Sequence, residues 1–319
     1  MLHPFIFAAA YVTDLLVGDP RQLPHPVVAI GRATALLERG IRRTVRSDRG
    51  LKLAGFAFPL ALVGGSFALT WALLRLLAMV HPWLAVAAEV WLIATTVAAK
   101  GLAQAGMDIF RRLAAGDLPA ARKALGMVVG RDTDNLNEAE ITRGAVETVA
   151  ENIVDGIISP LFYAAIGGAP LAMAYRAANT LDSMVGYRND RYQHLGFASA
   201  RFDDLANWIP ARLTVLALAA AAFLMRLPAG RLLRTVARDA RRHPSPNSGY
   251  PESAVAGALG VQLGGLNYYS GVPSDRARMG DPLQPLQAGH IRRTVQLMYL
   301  SSALFTAAVT GLLLLFSLS

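Results

Sequence analysis

The sequence contains no cysteine, which excludes disulfides, thiolate metal sites and cysteine nucleophiles. Charge is scarce as well: 17% of the 319 residues are Asp, Glu, Lys or Arg, against roughly 25% in a soluble domain. Lysine is nearly missing, with only Lys52, Lys100 and Lys123, so arginine carries the excess of 31 basic over 22 acidic residues. The opening Met1-Leu2-His3-Pro4 lacks the basic region of a secretory signal, so no cleaved leader is expected. HExxH, GxSxG, CxxC and Walker patterns are missing too, as are internal repeats and low-complexity tracts. These shortages argue against an ordinary cytosolic enzyme.

What is present is apolar residues in long blocks. A bilayer-crossing helix needs about 20 of them. Leu53–Leu74 and Val295–Leu318 are uncharged over such a length, and Trp83–Ala99 is interrupted only by Glu89. Trp208–Met225 carries only Arg212, while Pro4–Thr13 is too short to cross unless it continues past Asp14. Gly156–Tyr175 is uncharged but holds Pro160, Gly167, Gly168 and Pro170. That composition predicts a broken or re-entrant helix, which membranes tolerate where it is buried in protein or lines a cavity. The expected architecture is all-α: a polytopic integral membrane protein with about five membrane segments, helical cytoplasmic loops and one catalytic domain over residues 1–319.

Arginine then orients the chain. Arg32 to Lys52 and Arg226 to Arg242 are basic segments beside apolar runs, and the positive-inside rule puts both in the cytoplasm. The +9 formal charge therefore reports topology first, and no nucleic-acid partner is expected.

The chemistry-bearing residues gather between Arg131 and Arg212. Asn137 and Glu140 fit a helix capping box. Glu147, Glu151 and Asp155 recur every four residues, so a regular helix puts them on one face. Like charges at that spacing repel by about 0.2–0.5 kcal/mol, which a magnesium ion would relieve; Arg143, four residues before Glu147, offers another partner. Arg176, Asn179 and Asp182 recur at steps of three, and Asp203 stands four before Asn207 with Asp204 beside it. Polar groups flanked by apolar spans are costly and functional by default. The guanidinium forks of Arg176, Arg188 and Arg191 suit phosphate or carboxylate. Asn247-Ser248-Gly249 is a candidate phosphate loop without a Walker pattern, and Gly260 with Gly264 forms a GxxxG step, most simply a helix-packing face.

Several blocks, taken in order, carry a resemblance. They are GDP and HPV within Asp14–Arg32, RDT at Arg131–Thr133, ETVAENIVDGIISPLFY at Glu147–Tyr163 and NTLDSMVGY at Asn179–Tyr187. Asp203-Asp204, Asn207 and Pro210–Arg212 follow, then PNSGYPE and AGALGVQLGG between Pro246 and Gly265. Together they closely resemble the adenosylcobinamide-phosphate synthases of cobalamin biosynthesis, the CobD/CbiB family, over nearly the whole chain. The resemblance implies an ATP- and Mg2+-dependent ligase in the inner (cytoplasmic) cell membrane, with its active site facing the cytoplasm. It would join aminopropanol phosphate, or free aminopropanol, to the ring-D propionate of adenosylcobyric acid. It also implies association with other cobalamin-pathway membrane enzymes. Carried onto this chain, the catalytic candidates are Glu147, Glu151 and Asp182. Arg143, Asn152, Arg176, Asn179, Arg188 and Asn207 would bind substrate or phosphate, and Glu151, Asp155, Asp182, Asp203 and Asp204 would bind metal. The main alternative is a transporter, which also uses broken helices and intramembrane charge.

Overall fold

In the computed structural model, which describes residues 3–18, 25–187 and 189–318, the apolar blocks are helices. The order is α1 (His3–Val17), α2 (Pro26–Thr44), α3 (Asp48–Ala54), α4 (Gly64–Val80), α5 (Pro82–Ala94), α6 (Ala99–Ala114), α7 (Leu118–Gly126), α8 (Glu138–Ile153) and α9 (Ser159–Val185). There follow α10 (Phe197–Ala206), α11 (Trp208–Leu224), α12 (Ala229–Asp239), α13 (Gly249–Leu259), β1 (Leu263–Tyr269), β2 (Val272–Met279) and α14 (Gly289–Leu318). Among the described residues, four helical runs are long and apolar enough to cross a membrane: Asp48–Val80, Pro82–Ala114, Glu138–Val185 and Gly289–Ser317. The bent pair α10 and α11 makes a fifth if it counts as one span. This is a polytopic helical membrane protein. α1 continues past Asp14 to Val17 and remains short. The spans differ in what covers them. Leu60, Leu69, Leu76 and Met79 are exposed in the first, where lipid is the fitting neighbour, whereas most of the apolar part of Glu138–Val185 is buried in protein.

The described chain divides into two compact units, each assembled from separated segments. The first comprises Met1–Ala98, Ser159–Asn207 and Thr306–Ser319. Its central element is α9, packed by α2, α4, α5 and α10. Ile41, Phe58, Leu181 and Leu195 form one core cluster, and Ile30, Met173 and Ala177 another. The expected break occurs inside α9. Gly167 and Gly168 leave helical geometry, Gly168 at φ 63°, and Pro170 follows within the run. The left-handed backbone favours glycine, and a Cβ on Gly168 would stand 2.3 Å from Glu89 Oε1. His25 proves to be the N-cap of α2, its Nδ1 accepting the Val27 N–H at 3.2 Å. Its role is to start a helix.

The second unit comprises Ala99–Ile158 and Trp208–Phe305. α8 begins with the expected capping box: Asn137 Oδ1 accepts the Glu140 N–H at 3.0 Å, and Glu140 Oε2 accepts the Asn137 N–H at 2.8 Å. Such a cap contributes about 1 kcal/mol. α13 is buried along its length except at Tyr250, between α8, α11 and α12. Beyond it the sequence reading fails. Gly260 is a left-handed C-cap at φ 68°, and Gly264 lies in β1. No GxxxG helix face exists there. Instead β1 and β2 form an antiparallel hairpin with a register shift between Leu263 and Gly265. Its two-residue turn, Ser270-Gly271, has positive φ at both residues, the geometry that matches strand twist. Asp132 clamps that turn by accepting the Ser270 and Gly271 N–H groups at 3.0 and 2.7 Å.

Candidate functional site

The two units each hold a polar cluster. In the second unit, a polar cavity of about 150 Å³ is lined by residues that include Arg131, Glu147, Glu151, Asn152, Glu252 and Arg276. Glu147, buried in the middle of α8, is fully engaged. Arg131 binds its Oε2, and the Gly264 N–H donates to Oε1 at 2.8 Å. The partner expected from spacing, Arg143, turns elsewhere: it donates to the carbonyls of Gly264 and Leu266 and to Asn267 Oδ1. Arg143 therefore anchors the hairpin. Glu151 follows Glu147 by one turn and accepts the Ser248 hydroxyl at its Oε1, 2.9 Å away. Asn152 lines the cavity while its amide donates to its own helix at Thr148 O. Asp155 departs from the expected shared face. It falls on a π-helical turn, Val154–Ile158, where the 3.6-residue period fails, and it is absent from the cavity wall.

The same wall includes Glu252, on α13, which sequence spacing did not single out. Its carboxyl is buried, and His243 Nε2 lies 3.7 Å from its Oε1. Burial drives the Glu252 pKa well above the usual carboxylate range, and the charges of Glu147 and Glu151 add to the effect. Burial also lowers the His243 pKa, which disfavours the charged ring. Its Nδ1 accepts the Ser245 N–H at 3.0 Å, leaving the proton on Nε2, towards Glu252. Glu252 thus binds its proton more tightly folded than unfolded. The stability this contributes is full below the ordinary glutamate pKa and is lost as pH rises through the raised folded value. Glu252→Gln, which imitates the protonated acid, is expected to flatten the alkaline fall in thermal stability. Unfolding midpoints of the two proteins, measured from pH 6 to pH 10, test this; parallel curves would refute it.

The proposed phosphate loop is a packed turn. Ser245 Oγ accepts the Asn247 and Ser248 N–H groups. Arg212 donates to Asn247 Oδ1 at 3.0 Å and lies over the Trp208 and Tyr250 rings. A Cβ on Gly249 would meet Ala240 O at 2.1 Å, so the glycine is there for close backbone approach.

The first unit holds the second cluster. Asn207, 1% exposed, is its hub. Its Oδ1 accepts the hydroxyls of Ser159 and Tyr175, and its Nδ2 donates to Asp203 Oδ2 at 2.9 Å. Asn179 also hydrogen-bonds Asp203, and the Asp182 charge acts on that carboxylate. Arg176 Nη1 donates to Asn179 Oδ1 at 3.4 Å, so one amide joins the arginine to the aspartate. Two buried polar atoms here, Asp203 Oδ1 and Arg176 Nε, meet no partner among the described residues. Asp182 folds back over Gly186, where a Cβ would lie 2.0 Å from its Oδ1. The adjacent acids part company: Asp203 is buried, while Asp204 pairs with exposed Arg201 at 3.3 Å. Arg191 is likewise taken, by Glu38 at 3.0 Å. Burial opposes the Glu38 charge, but hydrogen bonds from Arg42 and Arg191 outweigh it and hold the carboxyl below its usual range. Arg188 lies outside the described residues.

Among the described residues, no three His, Asp or Glu side chains group as a metal cage. Magnesium needs fewer protein ligands, since it is usually held by one or two carboxylates together with substrate phosphates. Glu151, with one oxygen taken by Ser248, and Asp203, with an unpartnered oxygen, fit that smaller requirement.

Fold and clusters together define a multi-pass helical membrane protein with buried acidic and arginine-bearing sites. The chain belongs to the CobD/CbiB family: a family model described as CobD/Cbib protein matches residues 7–298. Cobalamin biosynthesis protein CobD of Klebsiella pneumoniae is 48% identical over 305 residues, covering 96% of each chain. Its counterpart in Geobacter metallireducens is 52% identical over 294 residues, covering 92% of each. Cobalamin biosynthesis protein CbiB of Salmonella typhimurium is 47% identical over 307 residues, covering 95% of this chain and 96% of its own. No solved structure matches the chain.

Proposed function

We propose that this protein acts in cobalamin biosynthesis as an ATP-dependent ligase. In this reading it joins the amino group of (R)-1-aminopropan-2-ol phosphate, or of aminopropanol, to the ring-D propionate of adenosylcobyric acid. The observation that carries this is the pair of unpartnered buried atoms joined through Asn179, a carboxylate oxygen of Asp203 and the Nε of Arg176. An unpaired buried charge is expensive, and a small molecule bearing an ammonium and a phosphate would satisfy both atoms at once. The names of the relatives supply the pathway.

A carboxylate is a poor acyl donor. Transfer of the ATP γ-phosphoryl to a propionate oxygen gives an acyl phosphate and ADP. The ammonium first loses one proton. The amine nitrogen then attacks the carbonyl carbon, the C–O bond breaks as phosphate leaves, and the nitrogen gives up its second proton. Asp203 would hold the ammonium, Arg176 the phosphate, and Asp182 would accept a proton. Asn152, Asn179 and Asn207 would orient substrate. The second unit's cluster is a separate candidate site, in which Arg131 and Arg276 would face a phosphoryl charge, with Glu147 fixing Arg131. Magnesium, held by Glu151, would neutralise that charge further. The use of ATP and the arginine-rich segments beside the apolar runs support a reaction on the cytoplasmic side of the inner membrane.

The decisive assay incubates detergent-purified protein with adenosylcobyric acid, aminopropanol phosphate and MgATP, and seeks the amide by mass spectrometry. ATP hydrolysis that needs both the acid and the amine supports the ligase. Substrate flux in vesicles without bond formation would replace it by the transporter.

A further inference from the structure

A separate cavity of about 360 Å³ lies in the second unit, lined in part by Arg231, Gln284, Gln287, His290, Arg292 and Arg293. No carboxylate lines it. Among the described residues none of its three arginines has an ion-pair partner. Arg231 is instead held by two backbone carbonyls, Gly257 O at 2.6 Å and Ala258 O at 3.2 Å, and Arg292 lies over the Phe110 ring. Positive-inside arginines alone need no such cavity, because they are solvated at the membrane boundary. A second observation points to a ligand. His290 is 8% exposed, and its Nδ1 accepts the Gln287 N–H at 3.0 Å, so a neutral ring carries its proton on Nε2. Among the described residues nothing accepts from Nε2, so this histidine of the cavity wall keeps a free donor.

The cavity also has a definite depth in the chain. Leu227 and Pro228 on its wall follow the apolar helix ending at Leu224, and Gly289 begins the apolar run to Ser317. It therefore sits where two apolar helices end, at the level of lipid headgroups. We propose that this cavity binds a phosphate group, with Arg292 and Arg293 supplying charge and His290 Nε2–H a hydrogen bond. A headgroup of an anionic phospholipid and a soluble phosphate present the same chemistry.

The test reconstitutes the full-length protein in phosphatidylcholine nanodiscs. One arm adds phosphatidylglycerol and measures its retention by native mass spectrometry. The other titrates inorganic phosphate and pyrophosphate and reads thermal stabilisation. Both arms are repeated with the double variant Arg292→Gln/Arg293→Gln, whose side chains are exposed, and with His290→Asn. The asparagine keeps an acceptor for the Gln287 N–H and removes the Nε2 donor. Selective retention of phosphatidylglycerol identifies the headgroup, and stabilisation by phosphate or pyrophosphate identifies a soluble ligand. In either case the double variant should weaken binding about 30-fold, since each arginine near an anionic surface contributes about fivefold. Binding by neither ligand, or undiminished binding by the variants, overturns the proposal. The ligand-free unfolding midpoint of each variant shows whether its fold is intact.

Discussion

Arg131→Met is expected to lower the unfolding free energy by about 3–5 kcal/mol, the typical cost of removing one partner from a buried ion pair. Both side chains are buried, Arg131 at 7% exposure and Glu147 at 8%. The arginine does more than neutralise Glu147, because it also donates to Asn267 Oδ1 and so joins α8 to β1. Without it, Glu147 keeps the Gly264 N–H but loses its only recorded charge-neutralising bond among the described residues. Arg143 cannot substitute, since its guanidinium is committed to the hairpin carbonyls. Removing both charges in Arg131→Met/Glu147→Gln should restore much of the loss, as a buried pair adds little beyond an uncharged replacement. Chemical unfolding of the detergent-purified variants reads this directly. A single variant within about 1 kcal/mol of wild type, or a double variant no better than the single, would show that the pair does not hold the unit together.

The membrane spans were legible because each needs only a long apolar run, a property carried within one segment. The Asn137–Glu140 cap and the Asp203–Asn207 bond were legible for the same reason: their partners lie three and four residues apart, at helical spacing. Legibility ended where contacts became distant. Arg131 reaches Glu147 across 16 positions and Asn267 across 136, so no periodicity could reveal either. Glu252 came near Glu151 only because Ser248, which starts its helix, bonds Glu151 across 97 positions. A local signal for the hairpin did exist. Asn267-Tyr268-Tyr269 and Val272-Pro273 flank Ser270-Gly271, a two-residue turn between strand formers. The glycines at 260 and 264 drew the reading towards helix packing, although each serves a left-handed backbone. Helical spacing also misled at Asp155, because one π-turn interrupts the face that Glu147 and Glu151 share.

Asp203→Asn is expected to reduce kcat/KM for the amine about 10- to 100-fold while leaving the protein equally or more stable. The reasoning separates binding from folding. Asparagine keeps a carbonyl oxygen for the Asn207 Nδ2–H, so the Ser159–Asn207–Tyr175 network can stand. It removes a buried charge whose Oδ1 has no partner among the described residues, and folding gains from that removal. What is lost is a charged contact to the substrate ammonium, and hydrogen bonds to charged groups contribute about 1.5–3 kcal/mol. The loss should appear mainly as a raised KM for the amine, with KM for ATP little changed. Raising the pH would not rescue it, because the substituted amide cannot ionise. If Asp203 served packing alone, stability would fall and the two KM values would move together. Higher stability joined to a selective loss of amine affinity would mean that the buried aspartate costs folding energy which only the bound substrate offsets.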